Sequence, residues 1–230
     1  MQIKAIKTSV FLPGQNLTEF VIKYVPKVEE GTVLVVTSKI VGLAENRLAK
    51  LVDKDKVIKQ ESEKWLKTKW CYLTLKDGQW SANAGVDASN VPGGGLVLLP
   101  KNSYRAADSL RKQLRKFYKV KNFGVLITDS QTFPLRAGVM GNALGYAGFA
   151  GLRNYIGRPD LFGRKLKMTR TNIADSLAAA SVMLMGEGSE SCPLALITNI
   201  NIQFKSKVNP RELRINSKDD IYKPLFSTVK

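Results

Sequence analysis

The stretch Thr32-Val33-Leu34-Val35-Val36-Thr37 is apolar or β-branched at every position and is bounded by Gly31, which is the pattern of a strand buried at the centre of a sheet. Phe123 to Thr128 and Leu194 to Ile200 read as further strands, and helical patterns separate the three. Asn16 caps the first helix, with Glu19 three residues on as in a capping box, and Leu17, Phe20, Val21 and Tyr24 form its buried stripe. In the basic helix around Arg111 to Lys121, Leu110, Leu114 and Phe117 recur at helical spacing, so its cations are expected on the solvated face. Ile173 to Met185 is apolar nearly all round, which predicts a buried helix that Gly186 ends. Ala44 to Lys69 reads as charged and helical.

Asp77-Gly78 sits between Trp70-Cys71-Tyr72-Leu73-Thr74-Leu75-Lys76 and Gln79-Trp80-Ser81-Ala82, a two-residue hairpin signal. Its second strand runs into Asn83-Ala84-Gly85-Val86-Asp87-Ala88-Ser89-Asn90-Val91-Pro92-Gly93-Gly94-Gly95, with the strand-like Leu96 to Leu99 beyond. A carboxylate, an amide and a hydroxyl among such small residues let backbone approach a phosphate or a metal closely. A glycine-rich connecting loop with turn-forming Asp and Asn has the same local sequence. Thr128-Asp129-Ser130 follows its own apolar run in the same way. Two acids at two strand ends suggest one metal.

The chain has no histidine, which removes Ser-His-Asp and Cys-His nucleophile systems and imidazole-ligated metals together. Any metal must then be hard and oxygen-bound, such as magnesium or manganese. Cys71 and Cys192 build no disulfide framework and read as buried thiols. Thirty-six Lys and Arg against nineteen Asp and Glu give a formal charge of +17. That charge leaves nucleic acid open as a partner, and equally suits a field that gathers small polyanions such as nucleotides. No apolar run reaches the ~18 residues of a membrane span, and the N-terminus lacks a signal-peptide pattern, so a cytoplasmic protein without a membrane partner is expected. Neither repeat nor low-complexity linker divides the sequence, which reads as one domain over 1–230 with a smaller lobe around 136–170. The small-residue tract from Gly138 to Gly151 predicts tight backbone packing. In Gly157-Arg158-Pro159-Asp160-Leu161-Phe162-Gly163-Arg164 the arginines suit either an anion or a pairing with Asp160. The tail from Lys205 reads as irregular, with a terminal helix.

Val35-Val36-Thr37-Ser38-Lys39 with Ala44-Glu45-Asn46-Arg47, the stretch Asn83 to Val91, Leu98-Leu99-Pro100, Thr128-Asp129-Ser130, Gly157 to Arg164 and Met185-Gly186-Glu187-Gly188 together resemble the coenzyme F420:L-glutamate ligase family, in order, over about Thr8 to Ile200. The resemblance implies an α+β fold with mixed, largely antiparallel sheets, flanking helices and an intertwined homodimer. It also implies a ligase that joins L-glutamate to an acceptor carboxylate through an acyl phosphate, using GTP, or ATP in its place, and two divalent cations, Mg2+ or Mn2+. Asp87 and Asp129 match the family's metal-binding and catalytic aspartates. Ser130 stands where a threonine hydroxyl serves the second metal, and Glu187 is a further metal candidate. Asn90, Leu12-Pro13, Ser38-Lys39 and Gly186-Glu187-Gly188, at the start of the loop to Pro193, match nucleotide contacts.

There are departures from the family pattern. Leu43 replaces a lysine that contacts the nucleotide, with Lys39 nearby as a substitute. Thr132-Phe133 replaces a Gly-Arg pair after the second aspartate, and the segment after Arg47 is shortened. Loss of that cation points away from the deazaflavin precursor towards another acceptor, such as a folate whose pterin meets Phe133. A basic binding protein that kept the fold and lost the chemistry is the alternative outside the enzymes.

Overall fold

The computed structural model describes residues 1–91 and 93–226, Phe226 by its backbone alone. Pro92 of the glycine-rich stretch and the last four residues of the basic tail lie outside the described residues. In chain order the elements are β1 (Gln2–Ile6), α1 (Leu17–Tyr24), β2 (Thr32–Thr37), α2 (Ser38–Ala44), β3 (Leu48–Ala49), α3 (Lys54–Gln60), β4 (Lys64–Lys67), β5 (Tyr72–Lys76), β6 (Gln79–Ala82), β7 (Leu96–Val97), α4 (Ser103–Tyr118), β8 (Phe123–Thr132), β9 (Val139–Ala147), β10 (Leu152–Asn154), β11 (Arg170–Asn172), α5 (Ile173–Met185), β12 (Leu194–Thr198) and α6 (Lys223–Phe226).

Five strands form the central sheet in the order β1-β12-β2-β8-β9, and only the β2–β8 pair is parallel. The fold is therefore α+β and largely antiparallel. β2 is buried over Thr32 to Val36 because both its faces are covered. Leu34 and Val36 join a core with α1, α2 and α4, while Val33 and Val35 join a core with α5 on the opposite side. Each such side chain contributes about 1.5–3 kcal/mol by leaving water. The Asp77-Gly78 hairpin forms as read, with both residues at positive φ, and β4 adds a third strand to it.

Several local expectations are corrected. Ala44 to Lys69 is not continuously helical: β3, a short 3-10 turn, α3 and β4 share it, because Leu48-Ala49 pairs with β7 and Lys64 to Lys67 pairs with β5. The last strand ends at Thr198 rather than Ile200. α5 is not buried all round, since Met183 and Leu184 are exposed. Arg111 of the basic helix is 4% exposed rather than solvated, its Nε donating to the Phe123 carbonyl at 2.6 Å, and Phe117 is half exposed. Both cysteines are partly exposed. Asp160 takes Arg164 as its partner at 3.1 Å, the internal pairing that was one of the two uses expected for that turn.

Candidate functional site

β2 and β8 run side by side as far as the pair Thr37–Thr128. There β2 turns directly into α2 at Ser38, while β8 continues to Thr132 as a ribbon with β9. Asp129 was expected at a strand end. It lies inside β8, at the point where that strand leaves the sheet. The turn of β2 brings Ser38 against it, and the Ser38 hydroxyl donates to Oδ1 of Asp129 at 3.0 Å.

Asp87 arrives from the other stretch. Its backbone pairs with Val97 in both directions, at 3.0 and 2.8 Å. The turn before it is built from three consecutive residues at positive φ, Asn83, Ala84 and Gly85. This costly conformation is held in place: the Asn83 side chain accepts from Tyr72 N, Ala84 N donates to Thr74 Oγ1, and a Cβ on Gly85 would overlap Leu99 at 2.5 Å. The Asp87 carboxylate receives Lys39 Nζ at 2.8 Å and the amide and hydroxyl of Ser89 at 2.8 and 3.0 Å.

The remaining contacts join the loop after α5 to these two segments. Ser130 Oγ donates to Glu187 at 2.5 Å, and Asn90 Nδ2 donates to the Gly188 carbonyl at 3.2 Å. One cavity of about 700 Å3 is lined by Ser38, Lys39, Asp87, Asn90, Asp129 and Ser130, and also by Gly186, Glu187 and Gly188. Leu12 and Pro13 are not in its lining, where the preceding Val10 and Phe11 stand instead. Leu43 lines it too, buried one helical turn after Lys39 and on the same face. Thr8 to Phe11 were missed in the sequence because they lie in no Gly- or acid-rich pattern, whereas Thr128 was part of the Thr128-Asp129-Ser130 stretch but was given no role of its own. Thr132 lines the cavity, whereas Phe133 lines neither this cavity nor the one that adjoins it at Asp129.

The two aspartates are tuned in opposite directions. Burial raises the Asp87 pKa, but the hydrogen bond from Lys39, the Ser89 amide and the Lys39 charge outweigh it and hold the carboxyl below its ordinary value. Asp129 opens to the cavity along only part of its surface, with its carboxyl enclosed. Burial first, and then the charges of Asp87 and Glu187, push it up to about 6 against the pull of Ser38 and the Ser130 amide. A carboxylate crowded by two other acids is a place where a cation is stabilised.

Among the described residues no three Asp, Glu, Cys or His side chains are grouped closely enough to cage a metal unaided. The donors still fit a hard divalent cation that keeps part of its shell for phosphate or water. Asp87 and Asp129 supply carboxylate oxygens and Ser130 a hydroxyl. The buried Thr128 Oγ1 beside them has no hydrogen-bond partner among the described residues.

The F420-0:gamma-glutamyl ligase family model matches residues 52–199. The chain is 32% identical to the coenzyme F420:L-glutamate ligase of Archaeoglobus fulgidus over 82% of its own length and 83% of the relative's. It is 33% identical to that of Methanopyrus kandleri over 88% of both, and 31% identical to that of Methanocaldococcus jannaschii over 92% and 95%. No helix among the described residues is long and apolar enough to cross a membrane.

Proposed function

The chain belongs to the F420-0:gamma-glutamyl ligase family, and from that premise we propose that it joins L-glutamate to an acceptor carboxylate, using a nucleoside triphosphate, GTP by resemblance, and Mg2+ or Mn2+. The observation that supports this reading is the convergence of Asp87, Asp129, Ser130, Glu187 and Asn90 on one cavity. An acceptor carboxylate oxygen attacks the terminal phosphorus, and the nucleoside diphosphate leaves with the electrons of the broken P–O bond. The glutamate amine then attacks the acyl carbon; inorganic phosphate departs, taking up the proton that nitrogen loses. Bound Mg2+ or Mn2+ would neutralise the phosphates and polarise the transferred group.

The chain's own residues divide the remaining work. Asp87 and Asp129 would hold the cation by carboxylate oxygens, with the Ser130 hydroxyl as a further oxygen donor. Ser38 keeps Asp129 oriented through its hydrogen bond. Lys39 is the cation available to nucleotide phosphates in place of the lysine absent at Leu43, once a metal takes over its pairing with Asp87. Asn90 steadies the loop at Gly188 over the nucleotide.

The test is phosphate release from GTP and ATP, with L-glutamate and a panel of coenzyme F420-0, folates and small carboxylates. Turnover should require an acceptor, glutamate and a divalent cation together. Calorimetry should show nucleotide binding only with the metal present, and equal binding in chelator would defeat the metal assignment. Release with coenzyme F420-0 above the folates would return the acceptor to the one in the family's name, despite Thr132-Phe133. Trp70 is 85% exposed on the turn into β5, and Trp65 and Leu66 on β4 are also exposed. Apolar area of this kind suits the proposed homodimer. Light scattering at micromolar concentration should give twice 25.4 kDa, and a monomer would refute the assembly.

A further inference from the structure

Ser81, Asp129, Ser130 and Gln131 line two cavities at once. One is the site described above. The other, about 830 Å3, lies between α4, the β5–β6 turn and a strap over 206–214. Charge divides them sharply. The first carries one cation, Lys39, with Asp87, Asp129, Glu187 and Glu190, whereas the second carries eight Lys or Arg against three Asp.

Lys76 is occupied by Glu61 and Lys112 by Asp108, but Lys101, Arg105, Arg115, Lys207 and Arg214 form no ion pair among the described residues. Uncompensated cations around one concavity repel one another, and their shared field attracts a small anion. The strap is firmly placed. Val208 and Leu213 pack against the α5-side core, and Glu212 accepts from the Tyr146 hydroxyl and from Gly151 N at 2.8 Å. Arg214 reaches across to the hairpin turn, its Cδ and Nε 3.7 Å from where a Cβ on Gly78 would stand. These residues lie beyond residue 199, where the match to the family model ends.

We propose that this second cavity holds the anionic body of the acceptor, with Lys207 and Arg214 as specificity-determining residues. The acceptor is then a small molecule bearing at least one phosphate or carboxylate besides the carboxylate that reacts. Its reacting end meets the shared wall at Asp129 from the side opposite the metal-bearing nucleotide, so two anionic substrates approach the transfer point without sharing a pocket. Naming the occupant as the acceptor rests on the ligase reading; the anion site itself does not.

Inorganic pyrophosphate is the probe, titrated calorimetrically into the full-length protein in metal-free buffer, where the acids of the first cavity repel it. GDP with Mn2+ is titrated separately. The wild type should bind pyrophosphate, and Lys207→Ala/Arg214→Ala should weaken it roughly ten- to hundredfold while leaving GDP–Mn2+ binding and the melting temperature unchanged. Arg214→Glu should weaken it further, and Lys165→Ala, outside both cavities, should do nothing. No pyrophosphate binding by the wild type, or equal binding by the double variant, overturns the proposal. If GDP–Mn2+ fails to bind the wild type while pyrophosphate still depends on Lys207 and Arg214, the anion site stands and the acceptor assignment falls with the ligase reading.

Discussion

Asp129→Asn should lose glutamate-dependent phosphate release by a hundredfold or more and, in the same preparation without metal, unfold at a higher temperature than the wild type. The two effects have one cause. Asp129 has a carboxyl pKa of about 6 against an ordinary 3.8, through burial first and then the charges of Asp87 and Glu187. Because the folded value lies above the unfolded one, stability from this group is full below about 3.8 and is lost as pH rises through about 6. At pH 7.5 in chelator the wild type therefore carries a penalty on the order of 3 kcal/mol, and asparagine removes the charge while its carbonyl still accepts from Ser38 Oγ. The amide is a poor ligand for a hard cation, and losing one charge-stabilising group at a transfer site costs roughly 10²–10³ in rate. Turnover assays and thermal melts with chelator, at pH 4.5 and pH 7.5, check both arms. The stability gain should be largest at the higher pH and should shrink towards zero at the lower. Wild-type turnover in the variant would remove Asp129 from the chemistry, and a lower melting temperature at pH 7.5 would contradict the crowded-carboxylate account.

The sheet was largely legible because burial on both faces leaves a plain trace: Thr32 to Val36 is buried throughout, and only a central strand needs that run. Asp87 and Asp129 were legible as strand-associated acids beside small residues. That Lys39 would sit on Asp87 was not legible, since it depends on α2 starting directly after the last residue of β2, which has no signature beyond Thr37-Ser38. The second cavity was hidden for a related reason. Helical periodicity says which side of α4 turns from the core, and so Arg111 and Arg115 read as solvated. It cannot report that the strap at 206–214 returns over that side and makes a concavity of it. Leu12 and Pro13 belong to an irregular segment, where no periodicity says which side chain turns inward, and it is the adjoining Val10 and Phe11 that line the cavity.

The tract around Gly145 and Gly148 forms the tight backbone packing expected of it, and Gly148→Ala should be among the most destabilising single substitutions. A Cβ on Gly145 would stand 2.5 Å from the Ser103 carbonyl carbon, and one on Gly141 would stand 2.5 Å from the Ala178 oxygen. β9 is thus pressed between α4 and α5. At Gly148 φ is +93°, and a Cβ would lie 2.2 Å from Arg111 Nε and 2.3 Å from the Phe123 oxygen, the two atoms joined by the buried hydrogen bond. Alanine there combines backbone strain of roughly 1–3 kcal/mol with overpacking of about 1–3 kcal/mol, and it forces a buried guanidinium from its acceptor. Together these should lower the melting temperature by on the order of 10 °C. Gly138 separates the contributions, since its φ is +88° but nothing lies within 4 Å of the added Cβ. Gly138→Ala therefore carries the backbone part alone and should cost half as much or less. Thermal unfolding of the two variants side by side makes the comparison, and equal losses would mean that the contact between Gly148 and Arg111 contributes nothing to stability.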